Sequence, residues 1–217
     1  MLLAIDTSTT IIGIAAFDGT GLLSEYSWDS QRNHTAQLVP QIDTMLRRSG
    51  RVAGDIQAVA IAIGPGSWSG LRVGLSAAKG IAIARDLPLI GIGTLDVLAY
   101  QYGRAGQRVV PLIRLGRERF ATTDPAGGPP RNITLAVLAA ESGVATLFCG
   151  DIDREVQSVL TAQLGKRARF PSPAALLRRP GYLAELAWQR FLADESSDLT
   201  TLEPIYLGQP VRTPSNG

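Results

Sequence analysis

Residues 61–85 read IAIGPGSWSGLRVGLSAAKGIAIAR, and this stretch decides the fold. Its apolar start is typical of a buried strand, its middle is a glycine loop, and its end has the spacing of a long helix. Such an arrangement often binds anions, because free backbone N–H groups and the helix dipole point into the loop. The loop matches neither common phosphate motif: GxGxxG needs glycine where Ser69 stands, and Walker A needs Gly-Lys where Ser69-Gly70 stands. The stretch therefore predicts a nucleotide-binding type of fold without a recognisable nucleotide-binding loop.

The composition describes a globular protein with a large core. Of 217 residues, 45% are hydrophobic and 18% are charged, which excludes disordered, collagen-like and coiled-coil chains. A net charge of +2 is too small to indicate nucleic-acid binding by charge alone. The first residues lack a signal-peptide pattern and no apolar run has membrane-spanning length, so we expect a cytoplasmic protein without membrane contact. The single cysteine, Cys149, excludes an internal disulfide, and its apolar neighbours predict a core position.

The apolar pattern before residue 103 predicts the order strand-strand-strand-helix-strand-helix-strand-helix. Predicted strands lie at residues 2–5, 11–17, 22–28, 56–63 and 87–92, and predicted helices at 34–49, 70–85 and 95–102. Three antiparallel strands extended by parallel ones describe a ribonuclease-H-like layer. Pro40 is expected to kink its helix or to mark the first turn. Thr94 is predicted to be the N-cap of the third helix.

A glycine and polar stretch at residues 103–107 predicts a boundary between two subdomains. We expect a ribonuclease-H-like subdomain over residues 1–103, a smaller α/β subdomain over 104–212 and a disordered tail over 213–217. The second subdomain is predicted to contain a hairpin at residues 109–113 and 119–123, a strand at 145–149, and helices at 135–140, 155–164 and 182–193.

Asp6 ends the first predicted strand, and the hydroxyl side chains of Thr7 and Ser8 follow it. This pattern resembles the first phosphate loop of the actin, sugar-kinase and Hsp70 fold, in which the aspartate holds magnesium and the hydroxyls face phosphate. Hydrogen bonds of a turn at a strand end are the simpler interpretation. The candidate vestigial phosphate site comprises Asp6, Thr7, Ser8, Gly64, Gly66 and Ser67.

His34 is the only histidine, so metal sites built on paired histidines cannot form within this chain. A Ser-His-Asp triad would have to use His34, whose place at a predicted helix start favours capping or a surface position. A carboxylate pair among Asp6, Asp43 and Asp96 stays open, although no spacing singles one out. We therefore expect neither catalytic nor metal-binding residues in this chain.

The predicted helix over residues 70–85 carries small side chains that allow a second backbone to approach closely. Packing on the protein's own sheet explains one face of it. Beside the apolar helix over residues 34–49, it could also form a docking surface for a second protein. The candidate docking residues are Leu38, Ile42, Met45, Gly70, Gly74, Ala77, Ala78 and Ile81.

Five segments together resemble the TsaB (YeaZ) family: LLAIDTST, HTAQLVPQIDTML, AIGPGSWSGLRVGLSAAKGIA, PLIGIGTLDVLA and EPIYLG. The match runs in order over residues 1–102 and returns at 203–208. Its most specific part is GPGSWSGLR at residues 64–72, where the family usually reads GPGSFTGLR. The resemblance implies an actin/Hsp70-like (ribonuclease-H-like) α/β fold of two subdomains, the second one reduced. The family's Asp-Ala-Arg segment in that second subdomain does not superpose on Arg114, Glu118 and Phe120 without a gap.

The resemblance also implies a function. TsaB-like proteins are noncatalytic scaffolds that help to install a threonylcarbamoyl group on the adenosine next to the anticodon (position 37) of tRNAs reading codons that start with A. The implied partners are a metal-carrying TsaD-like catalytic subunit, a TsaE-like ATPase, tRNA through the complex, and a second copy in a homodimer. No cofactor of its own is implied. Two alternatives stay open: a nucleotide bound at the partner interface, and a divergent ATP-binding enzyme of the actin/Hsp70/sugar-kinase superfamily.

Overall fold

The computed structural model describes residues 1–31, 33–103, 106–125 and 127–207. The predicted tail at 213–217, Gly208 of the last family segment, and residues 104 and 105 of the predicted boundary lie outside these ranges. The first sheet contains β1 (Leu2–Asp6), β2 (Ile11–Asp18), β3 (Gly21–Asp29), β4 (Ala58–Ala62) and β5 (Leu89–Ile92). The second contains β6 (Arg108–Arg114), β7 (Phe120–Thr122), β8 (Arg131–Ile133), β9 (Thr146–Gly150) and β10 (Ala168–Arg169). The helices are α1 (His34–Arg48), α2 (Trp68–Arg85), α3 (Thr94–Tyr102), α4 (Leu135–Glu141), α5 (Arg154–Leu164) and α6 (Pro180–Leu192).

The first sheet has the strand order β3-β2-β1-β4-β5. β1, β2 and β3 form the predicted antiparallel meander, and β4 and β5 extend it in parallel with β1. All residues of β1, β4 and β5 are buried, because helices cover both faces of the sheet at its centre. The continuous apolar runs in the sequence thus predicted these strands correctly.

Helices α1 and α2 lie side by side on one face of this sheet. Leu38 and Met45 of α1 pack against Leu3 and Ile61 of the strands in a common core. α1 runs through Pro40 without ending, so the proline does not mark the first turn of the helix. A proline in that place only removes one backbone hydrogen bond near the N-terminus, and the buried apolar side of the helix keeps it in position.

Helix α6 covers the other face of the first sheet. Its Leu183, Ala184 and Ala187 share a core with Leu2 and Ala4 of β1. The predicted boundary assigned residues 180–192 to the second subdomain, but in the structure they pack against the first sheet. The first sheet needs a second apolar layer, and the chain supplies it by returning from the second sheet. We therefore call the first sheet with α1, α2, α3 and α6 lobe 1, and the second sheet with α4 and α5 lobe 2.

The second sheet has the strand order β10-β9-β6-β7-β8, and α4 and α5 pack against each other beside it. The predicted hairpin is confirmed, since β6 pairs with β7 antiparallel. β8 was not predicted, because it is short and two of its three side chains, Arg131 and Asn132, are exposed. Cys149 of β9 is fully buried in the core between α3 and lobe 2, as its apolar neighbours predicted.

Candidate functional site

A cavity of about 690 Å³ lies between the two lobes. Its walls are formed by residues 8–10 and 65–68 of lobe 1, residues 113–115 and 151 of lobe 2, and residues 205–207 after α6. The loops that follow the parallel strands β1, β4, β6 and β9 all contribute to it. Ligands of α/β sheets bind at such carboxyl ends of strands. Three residues of the predicted phosphate site, Ser8, Gly66 and Ser67, line this cavity.

Asp6 is turned inward, toward its own loop. Its Oδ1 accepts hydrogen bonds from the backbone N–H of Ser8 at 2.9 Å and from the Ser8 hydroxyl at 2.6 Å. Both side chains are buried. This pattern is the turn at a strand end that the simpler interpretation of the sequence predicted.

Three backbone N–H donors of the glycine loop form hydrogen bonds within the chain. The Ser67 N–H donates to the Ser8 carbonyl oxygen at 2.7 Å, and the Gly64 N–H donates to the Thr94 hydroxyl at 3.1 Å. The prediction that Thr94 caps α3 is wrong, because Gly93 occupies the N-cap and the Thr94 hydroxyl serves the loop instead. The Ser67 hydroxyl caps α2 by accepting from the Gly70 N–H at 3.3 Å. These donors would otherwise be available to an anion.

The small residues at the start of α2 have an intramolecular cause. A Cβ at Gly70 would overlap with the Thr7 carbonyl oxygen, and a Cβ at Gly74 would overlap with the Thr7 hydroxyl. Likewise, a Cβ at Gly66 would overlap with the carbonyl oxygen of Ser8. The glycines thus let α2 and its loop lie directly against the loop after β1. Among the described residues, the Thr7 hydroxyl is one of two buried side-chain groups without a hydrogen-bond partner.

The structure places the candidate docking residues mainly inside lobe 1. The buried members of the set are Leu38, Ile42, Met45, Gly70, Gly74 and Ala78, and the partly buried ones are Ala77 and Ile81. The apolar stripe of each helix therefore faces the chain's own sheet. That α1 and α2 dock a second protein stays a prediction, and it now concerns their outward faces. Val39 of α1 is 57% exposed there, and Ile83 of α2 is 66% exposed.

An arginine that the sequence did not single out lies between the lobes. Arg178 Nη1 donates to the Ser8 hydroxyl oxygen at 2.9 Å, and its Nη2 donates to Asp151 Oδ1 at 2.7 Å. The Arg178 side chain is 10% exposed, and that of Asp151 is 29% exposed. Asp151 directly follows β9, as Asp6 ends β1, so its place after a predicted strand could have marked it. Nothing in the sequence around Arg178 marked the arginine.

Exposed aromatic side chains form the mouth of the cavity. The Arg72 guanidinium carbon lies 3.5 Å from the centre of the Trp68 ring, and Arg72 Nε donates to the Tyr206 hydroxyl at 3.3 Å. The Trp68 and Tyr206 rings are 6.2 Å apart. Arginine and two aromatic rings thereby join the start of α2 to the segment after α6.

The only histidine of the chain makes a structural contact. His34 Nε2 lies 2.8 Å from the Thr9 carbonyl oxygen, so the only histidine fastens the start of α1 to the loop after β1. It is buried and adjacent to the N-cap Asn33, so neither predicted place, cap or surface, is correct.

Asp43 pairs with Arg47 on the surface of α1. Asp96 lines a second cavity between α3 and residues 123–125 and 127–128, and burial raises its pKa. The structure therefore shows no sign of the carboxylate pair that the sequence left open.

The residues present do not fit the magnesium nucleotide that the actin and Hsp70 fold implies. The Asp6 carboxylate is engaged by Ser8, and the Arg178 guanidinium lies on the hydroxyl that would face phosphate. Within the described ranges, no group of three or more His, Cys, Asp or Glu side chains is placed to hold a metal ion. Nor is any helix there long and apolar enough to cross a bilayer.

Comparison with known proteins shows which proteins this chain is similar to. The family model described as "TsaD: tRNA N6-adenosine threonylcarbamoyltransferase" matches residues 24–124. A Bacillus subtilis protein, "tRNA threonylcarbamoyladenosine biosynthesis protein TsaB", is 27% identical over 95% of this chain and 93% of its own length. The Escherichia coli protein of the same description is 37% identical, over 45% of this chain and 42% of its own.

The fold agrees with this relationship. The solved structure "YeaZ from Pseudomonas aeruginosa" superposes with a TM-score of 0.76 over 95% of this chain and 99% of that chain, at 21% identity. The arrangement of two lobes is the actin/Hsp70-like α/β fold that the sequence predicted. The sequence match along nearly the whole chain and the shared fold support the TsaB/YeaZ family as the one that this chain resembles.

Proposed function

We propose that this chain is a noncatalytic subunit of the machinery that makes threonylcarbamoyladenosine in tRNA. The observation that carries the proposal is the match to the Bacillus subtilis TsaB protein over 95% of this chain. The modified base would be the adenosine next to the anticodon, at position 37, in tRNAs that read codons starting with A. We place this work in the cytoplasm.

The hydrogen bonds of the candidate catalytic groups support a noncatalytic role. Catalytic groups need free donors, acceptors or metal ligands at the reacting centre. Here the Asp6 carboxylate, the Ser8 hydroxyl and the single histidine all make structural hydrogen bonds within lobe 1. An ATP-binding enzyme, the alternative left open by the sequence, would need these groups for phosphate and metal.

The proposed partners are a TsaD-like catalytic subunit, a TsaE-like ATPase and, through the complex, tRNA. The match to the TsaD family model covers residues 24–124 and so includes α1 and α2. Two related chains that share these helices can pair through equivalent faces, as the copies in a symmetric dimer do. We therefore propose that the outward faces of α1 and α2 dock the TsaD-like subunit, and that a homodimer uses the same faces.

Reconstitution tests this function. TsaD-like and TsaE-like proteins from the same organism are combined with ATP, a threonylcarbamoyl-adenylate-forming enzyme and unmodified tRNA, with and without this chain. Nucleoside mass spectrometry then measures threonylcarbamoyladenosine. We expect product only when this chain is present. Equal product without it would contradict the proposal, and product made by this chain without the TsaD-like subunit would favour the enzyme alternative.

A further inference from the structure

One guanidinium group joins the two lobes through Ser8 and Asp151, which both line the cavity. Arg178 lies in the segment through which the chain returns from lobe 2 to α6. One end of its side chain contacts Ser8 in the loop after β1, and the other contacts Asp151 directly after β9. Arg178 thus contacts the carboxyl end of one strand in each lobe, β1 in lobe 1 and β9 in lobe 2.

These contacts belong to a continuous chain of hydrogen bonds. The Ser8 hydroxyl donates its proton to Asp6 Oδ1, which leaves the hydroxyl oxygen free to accept from Arg178. On the opposite side, Asp151 accepts from Arg178 with Oδ1 and from the backbone N–H of Arg114 with Oδ2. A carboxylate of lobe 1 and a carboxylate of lobe 2 are therefore linked through a single cation.

We propose that Arg178 is a resident cation that replaces the metal–phosphate group of this fold and holds the lobes together. A guanidinium keeps its charge at any physiological pH, and its planar donors contact two acceptors at once. Hydrogen bonds between charged groups are the strong ones, and low exposure protects them from screening by salt. Because the cation is part of the chain, the two lobes stay linked without nucleotide, and the linked site excludes magnesium nucleotides.

Removal of the guanidinium leaves the Asp151 carboxylate and the Ser8 hydroxyl, which is itself bonded to Asp6, without the cation between them. Uncompensated charge in a partly buried place is unfavourable, and the vacated space has the shape of a guanidinium. An Arg178→Ala variant should therefore lose stability and recover part of it when free guanidinium ion is added.

The neighbouring Arg179 supplies the matched control. It pairs with Glu25 at 2.6 Å. Arg179 directly precedes α6 and Glu25 lies in β3, both in lobe 1, so this pair does not cross the cleft. Thermal unfolding is measured for the natural protein, Arg178→Ala and Arg179→Ala, with low-millimolar guanidinium chloride or sodium chloride at equal ionic strength. Guanidinium at this concentration has little denaturing effect.

We expect Arg178→Ala to lower Tm by roughly 5 °C or more, which is a few times the effect of a typical exposed ion pair in a chain of this size. Guanidinium should restore part of that loss, and sodium should not. Arg179→Ala should show a smaller loss that guanidinium does not restore. An equal loss in both variants, or no specific recovery of Arg178→Ala, would overturn the proposal.

A second variant keeps the test decisive if Arg178→Ala does not fold. Asp151→Asn keeps an acceptor for the Arg114 N–H but removes the charge that Arg178 meets in lobe 2. We expect faster amide hydrogen exchange across residues 7–10 of lobe 1 in this variant, since the link runs through Arg178. Unchanged exchange there would contradict a link between the lobes, and a rise in Tm of the natural protein with millimolar Mg-ATP would contradict exclusion of the nucleotide.

Discussion

Gly74 of α2 lies directly against Thr7, so that a methyl group at position 74 would overlap with the Thr7 hydroxyl. The same methyl group would lie 3.1 Å from Cδ1 of Ile61 in β4. The helix can therefore reach its position on the sheet only with glycine at this place. The small side chain is explained by this chain's own packing, without a partner.

This contact predicts opposite effects for two glycines of the same helix. Gly74→Ala should destabilise the protein by about 1–3 kcal/mol, because an extra methyl group in a tight core forces neighbours to move. Gly80→Ala should stabilise it by about 0.5–1 kcal/mol, because a Cβ at Gly80 meets no atom and alanine favours the helix. Urea unfolding of the two variants measures both effects, and equal changes would contradict the packing of α2 described here.

The outward faces of α1 and α2 provide a test of partner docking. Ile83→Glu and Val39→Glu place a charge on side chains that are 66% and 57% exposed, so the fold should persist. If these faces bind the TsaD-like subunit, each variant should raise the Kd of the pair at least about tenfold, since a charge without a partner in an interface costs more than about 1.4 kcal/mol.

The control for that experiment is Ile42→Glu in the buried stripe of α1. Ile42 is 5% exposed, so this variant should unfold or aggregate rather than lose binding selectively. Calorimetric titration with the TsaD-like subunit and circular dichroism separate the two results. Unchanged affinity of both outward variants would contradict docking through these helices.

Asp6 distinguishes a scaffold from an enzyme. Asp6→Asn keeps an oxygen that can accept from the N–H and hydroxyl of Ser8, so the turn should persist. If the chain is a scaffold, this variant should support threonylcarbamoylation in the reconstituted system within about twofold of the natural protein, a change of less than 1 kcal/mol. A metal-binding aspartate would behave differently, because the loss of its charge would greatly lower activity while the complex stays intact.

Cys149 should be unreactive in the folded protein. Burial raises the pKa of its thiol to about 12, and the side chain is fully buried. Thiol reagents attack the thiolate, so Ellman's reagent at pH 8 should label Cys149 only as fast as the protein unfolds. Rapid labelling without denaturant would contradict the described core, and full labelling in urea is the control.

The same pKa shift has a consequence for stability. The folded state holds the Cys149 proton more tightly than the unfolded chain, whose thiol titrates near 9.0. The protonated thiol of Cys149 therefore contributes its full stabilisation of the folded state below pH 9, and this stabilisation decreases as the pH rises from there toward 12. The free energy of unfolding, measured between pH 8 and 11, should decrease less in a Cys149→Ser variant than in the natural protein.

The sequence predicted those strands and helices whose apolar or small-residue pattern lies within a single segment. The fully apolar runs of β1 and β4 and the small-residue helix α2 could be found in this way, because both faces of the strands are covered by protein. β8 escaped prediction because only Ile133 of its three residues is buried. An apolar stripe also marks the side of a helix that faces its own sheet, and the stripe that suggested docking at Leu38 and Met45 is buried in this chain's own core.

The link between the lobes could not be predicted from local patterns. Arg178 and Ser8 lie 170 positions apart, and neither a spacing nor a motif connects them. The structure contains the expected turn at Asp6. The Arg178 guanidinium that bonds to Ser8 of this turn comes from a segment whose sequence has no distinctive feature. Contacts between distant segments depend on how the chain folds back, and this chain folds back onto lobe 1 with α6.

That return also sets the order in which the protein can fold during synthesis. While the ribosome makes residues 1–179, the side of the first sheet that α6 later covers, including Leu2, Ala4 and Ala15, has no apolar partner from this helix. The N-terminal half must therefore wait for residues 180–192 before its core is complete. Between the synthesis of β5 and that of α6 the nascent chain exposes an apolar sheet face, and a chaperone that binds apolar strands would find its target there.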